Sequence, residues 1–147
     1  MQRRHLLALL LTPLIAPRAM ASGFQVTLTE AEWRARLTGA QFHILREAGT
    51  EPAHTSPLNG EHRSGTCACA GCDLALFAST TKYESGTGWP SFWQPLQTAV
   101  QTRADGGRTE VHCQRCGGHL GHVFRDGPPP TGLRYCMNGT ALTFRPT

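Results

Sequence analysis

Two Cys-x-x-Cys pairs constrain the fold of this chain more than any other feature of its sequence: Cys69 with Cys72, and Cys113 with Cys116. Each pair can present two thiolates from one short loop, and four thiolates in a tetrahedron form a closed structural site for zinc. Such a site fixes two distant parts of the chain together and so supports a small core. The spacing predicts one structural zinc ion, and we expect no organic cofactor.

The N-terminal residues 1–21 have the pattern of a secretory signal peptide. Basic residues come first, an apolar run follows over residues 6–16, and residues 19–21 (Ala-Met-Ala) have the small-x-small pattern of a cleavage site. The run is too short to span a bilayer as a helix. The Arg3-Arg4 pair favours a twin-arginine signal over an ordinary Sec signal. We therefore expect an exported, periplasmic protein whose mature part has no membrane span.

The charge balance argues against nucleic acid as a partner. The formal net charge is +4, but Arg3, Arg4 and Arg18 lie in the leader, which leaves 11 basic and 10 acidic side chains in the mature part. A nucleic-acid-binding surface needs a larger basic excess.

In an oxidising compartment the six cysteines could form disulfides instead of binding a metal ion. The matched spacing of the two pairs favours zinc.

Two short helices are predicted near the start of the mature part. Thr29 and Glu32 form a capping box, which marks a helix start, and we expect this helix to end at Gly39. A second helix is predicted over residues 40–48 and is stopped by Gly49.

The rest of the chain has the pattern of a mainly β protein. The chain has 16 Gly and 10 Pro, which favour many turns and short strands over long helices. Asp105-Gly106-Gly107 is typical of a hairpin turn. Short apolar runs predict strands over residues 74–77, 99–101, 108–112, 120–124, 133–137 and 141–144.

Cys136 stands outside the two pairs and is the candidate reactive thiol. In a strand, residues 134, 136 and 138 share one face, so Arg134 and Asn138 would flank the thiol. A nearby cation lowers the pKa of a thiol and raises its thiolate fraction. An isolated cysteine in a core strand is more often a structural residue, but the polar residues after Cys136 argue against simple burial.

Three further groups of side chains have open interpretations. His119 and His122 would lie on opposite faces of a regular strand, but Gly121 between them could bend the strand and bring both to one site. Trp89 could line a pocket or join an aromatic core. Cys67, close to the first cysteine pair, could be a small core residue or a second redox thiol.

Four stretches of this sequence together resemble the methionine-R-sulfoxide reductase family, type B. The resemblance covers about residues 27–146, which we take as the catalytic domain. The stretches are GTCACAGCDLALF, KYESGTGWPSFW, TEVHCQRCGGHLGHVF and DGPPPTGLRYCMNGTAL. The resemblance implies a mainly β fold of two antiparallel sheets with short N-terminal helices and a zinc site at the two cysteine pairs.

The resemblance also assigns roles to individual residues. It places the nucleophile at Cys136 and a methyl-contacting tryptophan at Trp89. Its pocket histidines fall on His119 and His122. Further matches to site positions are Arg134, Asn138 and Phe124, with the metal ligands at Cys69, Cys72, Cys113 and Cys116.

The implied reaction is reduction of methionine-R-sulfoxide, mainly in proteins, by a thiol. Histidine can protonate the sulfoxide oxygen near neutral pH, and the Cys136 thiolate then attacks sulfur and becomes a sulfenic acid. The alternative is a non-catalytic, zinc-stapled binding module. A binding module has no need for the thiol, the histidines and the tryptophan together.

Recycling of Cys136 is expected to depart from the family's common route. Many members carry a resolving cysteine where this chain has Thr87. Cys67 is the spare thiol and the favoured substitute, and the alternative is direct reduction by an external thiol. An exported enzyme would in either case need a thioredoxin-like thiol donor.

Overall fold

The computed structural model describes residues 23–147. The expected signal peptide, residues 1–21, lies outside the described residues. Within the described part, no helix has both the length and the apolar character needed to cross a membrane.

Two capped helices open the described chain. Thr29 and Glu32 form the predicted capping box, and α1 spans Glu30–Arg36. This helix ends before the expected Gly39, because Thr38 forms a second capping box with Gln41 and starts α2, Gly39–Glu47. The second box satisfies the backbone N–H groups at the start of α2.

Nine strands follow, and they pair in two antiparallel sheets. The three-stranded sheet has the order β2-β1-β9, and the six-stranded sheet has the order β3-β4-β8-β7-β6-β5. The strands are β1 Gly65–Cys69, β2 Ala75–Ala78, β3 Lys82–Tyr83, β4 Ser91–Phe92, β5 Val100–Asp105, β6 Arg108–Cys113, β7 His119–Phe124, β8 Arg134–Met137 and β9 Leu142–Pro146. The expected fold class is confirmed. Strand β1 and the two-residue strands β3 and β4 lie outside the predicted apolar runs.

The core lies between the two sheets. Phe77 of the small sheet stacks on Phe92 of the large sheet, with ring centroids 4.4 Å apart, and Leu76, Leu120 and Met137 are fully buried around them. Burial of each such side chain stabilises the fold by about 2 kcal/mol. This core holds the strands of the large sheet in register below the site.

The pairing of β4, β8 and β7 determines what surrounds Cys136. Cys136 lies opposite Ser91 of β4 and opposite His122 of β7. The strand register therefore brings the candidate thiol beside a histidine and beside the Trp89-Pro90 turn that precedes β4.

Candidate active site and metal centre

The four paired cysteines form one buried cluster. Their sulfur atoms lie within 4.8 Å of one another, with Sγ–Sγ distances of 3.7 Å for Cys69–Cys116 and 3.5 Å for Cys72–Cys113. A tetrahedron with metal–sulfur bonds of about 2.3 Å has an edge of about 3.8 Å. The cluster therefore fits a tetrahedral metal ion.

The chemistry of the cluster also suits a cation. Hydrogen bonds with Cys113 and Cys116, together with burial, raise the pKa of Cys69 far above its ordinary value. Four thiols packed this closely cannot all ionise without a positive ion to balance them. Side chains nearby anchor the two loops: Arg46 and Arg115 donate hydrogen bonds to the carbonyl oxygens of Cys116 and Cys72.

Cys136 differs from the other five cysteines, all of which also lie among the described residues. The other five are buried, whereas Cys136 is partly exposed. It opens into a pocket of about 130 Å³ whose lining comes from loops and three strands: Thr50, Trp89, Arg108, Gly121, His122, Phe124, Cys136 and Asn138. A thiol, an imidazole, an indole and a carboxamide thus converge on one opening.

Burial dominates the protonation of Cys136. It raises the pKa of the thiol, and the Thr87 hydroxyl and the Arg134 guanidinium only partly oppose this. Arg134 is itself held by two hydrogen bonds of 2.9 Å to the Asp126 carboxylate and lies over the Phe124 ring. The cation predicted beside the thiol is present, but the pKa shifts upward, against our expectation, because desolvation outweighs it.

A β-bulge brings the two histidines to the same face of the sheet. The register of β6 and β7 shifts between Val111 and His112, so one extra residue lies between His119 and His122 and reverses their alternation. Their ring centroids are 5.4 Å apart. A Cβ atom on Gly121 would clash with the Cys136 carbonyl oxygen, so glycine permits this close approach of β7 and β8.

The two histidines have different surroundings. His122 borders the Cys136 pocket, and its Nε2 lies 2.7 Å from the Asp105 carboxylate. His119 is 4% exposed and its Nδ1 lies 2.8 Å from the Glu110 carboxylate. Both rings also border a second cavity of about 250 Å³ beside the β5–β6 hairpin. Burial lowers the pKa of His119 although Glu110 opposes the shift.

Trp89 and Asn138 are held by a single loop residue. Trp89 Nε1–H donates to the carbonyl oxygen of Glu51 at 3.0 Å, and the Glu51 N–H donates to Asn138 Oδ1 at 3.0 Å. The buried Glu51 carboxylate accepts hydrogen bonds from the backbone N–H groups of Gly139 and Thr140. No motif in the sequence singled out Glu51 as a residue that supports the site.

Other pocket residues were also missed. Thr50 and Arg108 line the pocket, and Asp105 was expected only as a turn residue. Glu110 carries no signal in the sequence beyond its place in a strand. Asp105 and Glu110 meet His122 and His119 only when the hairpin pairs with β7, so no local pattern marks their place in the site.

Thr87, where many family members have a resolving cysteine, and Cys67, the spare thiol, lie in different environments. Thr87 Oγ1 is 3.9 Å from Cys136 Sγ, at the edge of the site. Cys67 lies in β1 of the other sheet, opposite Phe77 and Phe144, and is 3% exposed. Burial raises the pKa of Cys67 to about 11.

The fold and the site together define a mainly β protein with a four-cysteine cluster that fits a metal ion and with a pocket thiol beside paired histidines. Comparison with known proteins identifies the family of this chain. Residues 37–146 match the SelR domain. The chain is 50% identical over 127 residues to the peptide methionine sulfoxide reductase MsrB of Agrobacterium fabrum, covering 83% of this chain and 94% of that protein.

Two further relatives agree with this match. The MsrB of Leptospira interrogans is 50% identical over 127 residues (83% of this chain, 97% of that protein). The MsrB of Thiobacillus denitrificans is 53% identical over 123 residues (80% and 93%). The chain belongs to the SelR-domain family of peptide methionine sulfoxide reductases B, as the sequence motifs predicted.

Proposed function

We propose that this protein reduces methionine-R-sulfoxide, mainly within proteins, to methionine, with Cys136 as the nucleophile. The observation that carries the proposal is the pocket: Cys136 is the partly exposed cysteine and shares its opening with His122, Trp89 and Asn138. The names of the three relatives, all peptide methionine sulfoxide reductases, support the same substrate class.

In the reductase step, His122 donates a hydrogen bond and then a proton to the sulfoxide oxygen, which makes sulfur electrophilic. The Cys136 thiolate attacks that sulfur and forms an S–S bond. The hydroxyl group then passes to the Cys136 sulfur, the bonds from the substrate sulfur to oxygen and to Cys136 break, and methionine leaves. In the net reaction oxygen moves from methionine to Cys136. The substrate gains two electrons, and Cys136 is oxidised by two electrons to a sulfenic acid. The Trp89 indole provides an apolar contact for the substrate methyl group.

The first test measures the reaction and its stereochemistry together. The purified protein receives racemic, dye-labelled methionine sulfoxide with excess dithiothreitol, and the remaining epimers are separated on a chiral column. Loss of the R epimer alone, ending at half conversion, is the expected result. No conversion by folded, metal-containing protein would favour the non-catalytic binding module instead.

For recycling we propose direct reduction of the sulfenic acid by an external thiol. Cys67 is buried in the other sheet, so a Cys67–Cys136 disulfide would require opening of the core. Two external thiols supply two electrons and two protons, and they release water and a disulfide. A thioredoxin-like dithiol is the proposed donor.

Mass spectrometry after one turnover without reductant tests this route. We expect Cys136 sulfenic acid, trapped with dimedone, and a reduced Cys67. A Cys67–Cys136 disulfide would instead establish the internal route. A Thr87→Cys variant is the positive control, because its new thiol would lie close to Cys136 and should form a disulfide with it.

We propose zinc as the ion of the Cys69, Cys72, Cys113 and Cys116 cluster. Zinc accepts four thiolates in a tetrahedron and has no redox chemistry, so it would hold β1 and its turn to the end of β6. Elemental analysis of purified protein should give one zinc per chain. One iron per chain would overturn the choice of metal without affecting the roles of the four ligands.

We also propose export to the periplasm through residues 1–21, by the twin-arginine route. The Arg3-Arg4 pair before the apolar run supports that route over Sec. Cell fractionation of tagged protein tests export, and an Arg3→Lys/Arg4→Lys variant tests the route. Unchanged export of that variant would favour Sec.

A further inference from the structure

Glu110 is a buried carboxylate behind the Cys136 pocket, and it lies between the side chains of Arg103 and His119. Its side chain is 6% exposed and accepts hydrogen bonds from both Nε and Nη2 of Arg103 on β5. Its Oε1 also lies 2.8 Å from Nδ1 of His119 on β7. A buried carboxylate in this position is stable only because both partners are present.

The contact determines which nitrogen of His119 carries hydrogen. A carboxylate accepts a hydrogen bond, so Nδ1 must be the protonated nitrogen. Nε2 is buried and has no hydrogen-bond partner among residues 23–147. The ring borders the same cavity as His122, and the two rings pack in an edge arrangement with an interplanar angle of 65°.

We propose that Glu110, clamped by Arg103, is a positioning residue that fixes His119 as the Nδ1–H tautomer beside His122. The proposal rests on the proposed function, in which His122 delivers the proton to the sulfoxide. A neutral His119 of fixed orientation lets the neighbouring His122 carry that proton, because two imidazolium rings at this separation would repel each other. Glu110 contacts neither substrate nor the reacting sulfur and acts through His119.

Charged groups from every neighbouring strand face this pair of rings. Asp105 and Arg103 lie on β5, Arg108 and Glu110 on β6, and Cys136 on β8 opposite His122. The burial of His119 and its lowered pKa are consistent with the neutral ring. Burial alone would raise the pKa of Glu110, but the hydrogen bonds from Arg103 and His119 lower it, so the carboxylate stays ionised.

The test compares Glu110→Ala with Glu110→Gln in the full, metal-containing protein. Long-range ¹H–¹⁵N spectra of the histidine rings, assigned with a His119→Gln variant, report the tautomer, and steady-state kinetics report kcat and KM. In Glu110→Ala we expect loss of the Nδ1–H signature of His119 and a fall in kcat of about 10- to 100-fold, with KM within about twofold of the original. Glu110→Gln keeps an acceptor oxygen and should keep the tautomer and most of kcat.

Glu47→Ala is the matched control. It removes another carboxylate from a histidine Nδ1, that of His43 at 2.9 Å on the exposed face of α2, and should change neither kcat nor the His119 signal. If Glu110→Ala fails to retain metal and fold, Arg103→Gln takes its place, and we expect the same losses in weaker form.

The proposal is overturned if the variant keeps the Nδ1–H signature of His119, or if kcat is unchanged while the signature is lost. A rise in KM with unchanged kcat would also overturn it, because it would indicate a change in pocket shape. The spectra do not depend on turnover. Absence of sulfoxide reduction by the original protein would therefore overturn the proposed function and still leave the tautomer measured.

Discussion

The two cysteine sites of this protein are built in opposite ways. The four clustered cysteines come from two local motifs, are buried, and have their sulfur atoms within 4.8 Å of one another. Cys136 is partly exposed, and its neighbours come from loops and from strands β6 and β7. The closed site has four equivalent ligands that suit a metal, whereas the open site has one thiol among groups of different chemistry. A closed site of identical ligands stabilises the fold, whereas an open site with side chains of different chemistry can bind a substrate and react with it.

The largest expected effect is a loss of turnover when Cys136 is replaced, with the four-cysteine cluster left unchanged. Cys136→Ser should reduce sulfoxide turnover by more than about 1000-fold, because a hydroxyl is a far weaker nucleophile than a thiolate. Metal content and thermal unfolding should match the original protein. Turnover and elemental analysis on one preparation check both points, and retained activity would contradict the assignment of the nucleophile.

A substitution in the four-cysteine cluster should instead lower the stability of the fold. Cys113→Ser removes one of the four ligands. Metal binding to such sites supplies about 10–16 kcal/mol in small domains, which is comparable with the whole stability of a domain. We expect loss of the metal and unfolding at a much lower temperature. Cys136→Ser is the matched control, and a metal-containing Cys113→Ser protein of unchanged stability would show that the cluster is not a structural site.

The pH dependence of thiol alkylation should report the environment of Cys136. Because burial raises the pKa of this thiol, the rate of Cys136 alkylation by iodoacetamide, which needs only the thiolate, should still be rising at pH values where an ordinary cysteine is fully ionised. Arg134→Gln removes the opposing cation and should move the rise to still higher pH. Arg34→Gln is the control, because Arg34 also pairs with a carboxylate and lies over an aromatic ring, but on the N-terminal helices. A rise that moves to lower pH in Arg134→Gln would contradict this account.

The smallest expected effect concerns the loop that holds Trp89 and Asn138. Glu51→Gln leaves one acceptor oxygen for three N–H and O–H donors on Gly139 and Thr140. Loss of buried hydrogen bonds of this kind costs about 1–3 kcal/mol. We expect a lower unfolding temperature and a raised KM with metal content unchanged. Equal stability of variant and original would show that the backbone contacts of Glu51 suffice.

Much of the fold could be predicted from local patterns. The Thr29 capping box placed α1, the turn residues Asp105-Gly106-Gly107 placed the β5–β6 hairpin, and apolar runs placed the longer strands other than β1. The end of α1 was misplaced because Thr38 begins a second capping box. Strands β3 and β4 were missed because two residues carry no periodicity, and only their neighbours in the sheet make them strands.

The sequence by itself determined the metal site, the identity of the pocket thiol and the family. These depend on residue type and spacing, which are local and chemically specific. Tertiary structure alone decided the polar surroundings of that thiol. The bulge in β7 brings His119 and His122 to one face, the hairpin supplies Asp105 and Glu110, and burial overrides Arg134 in setting the pKa of Cys136. Register, burial and desolvation are properties of contacts between distant segments, so no local pattern contains them.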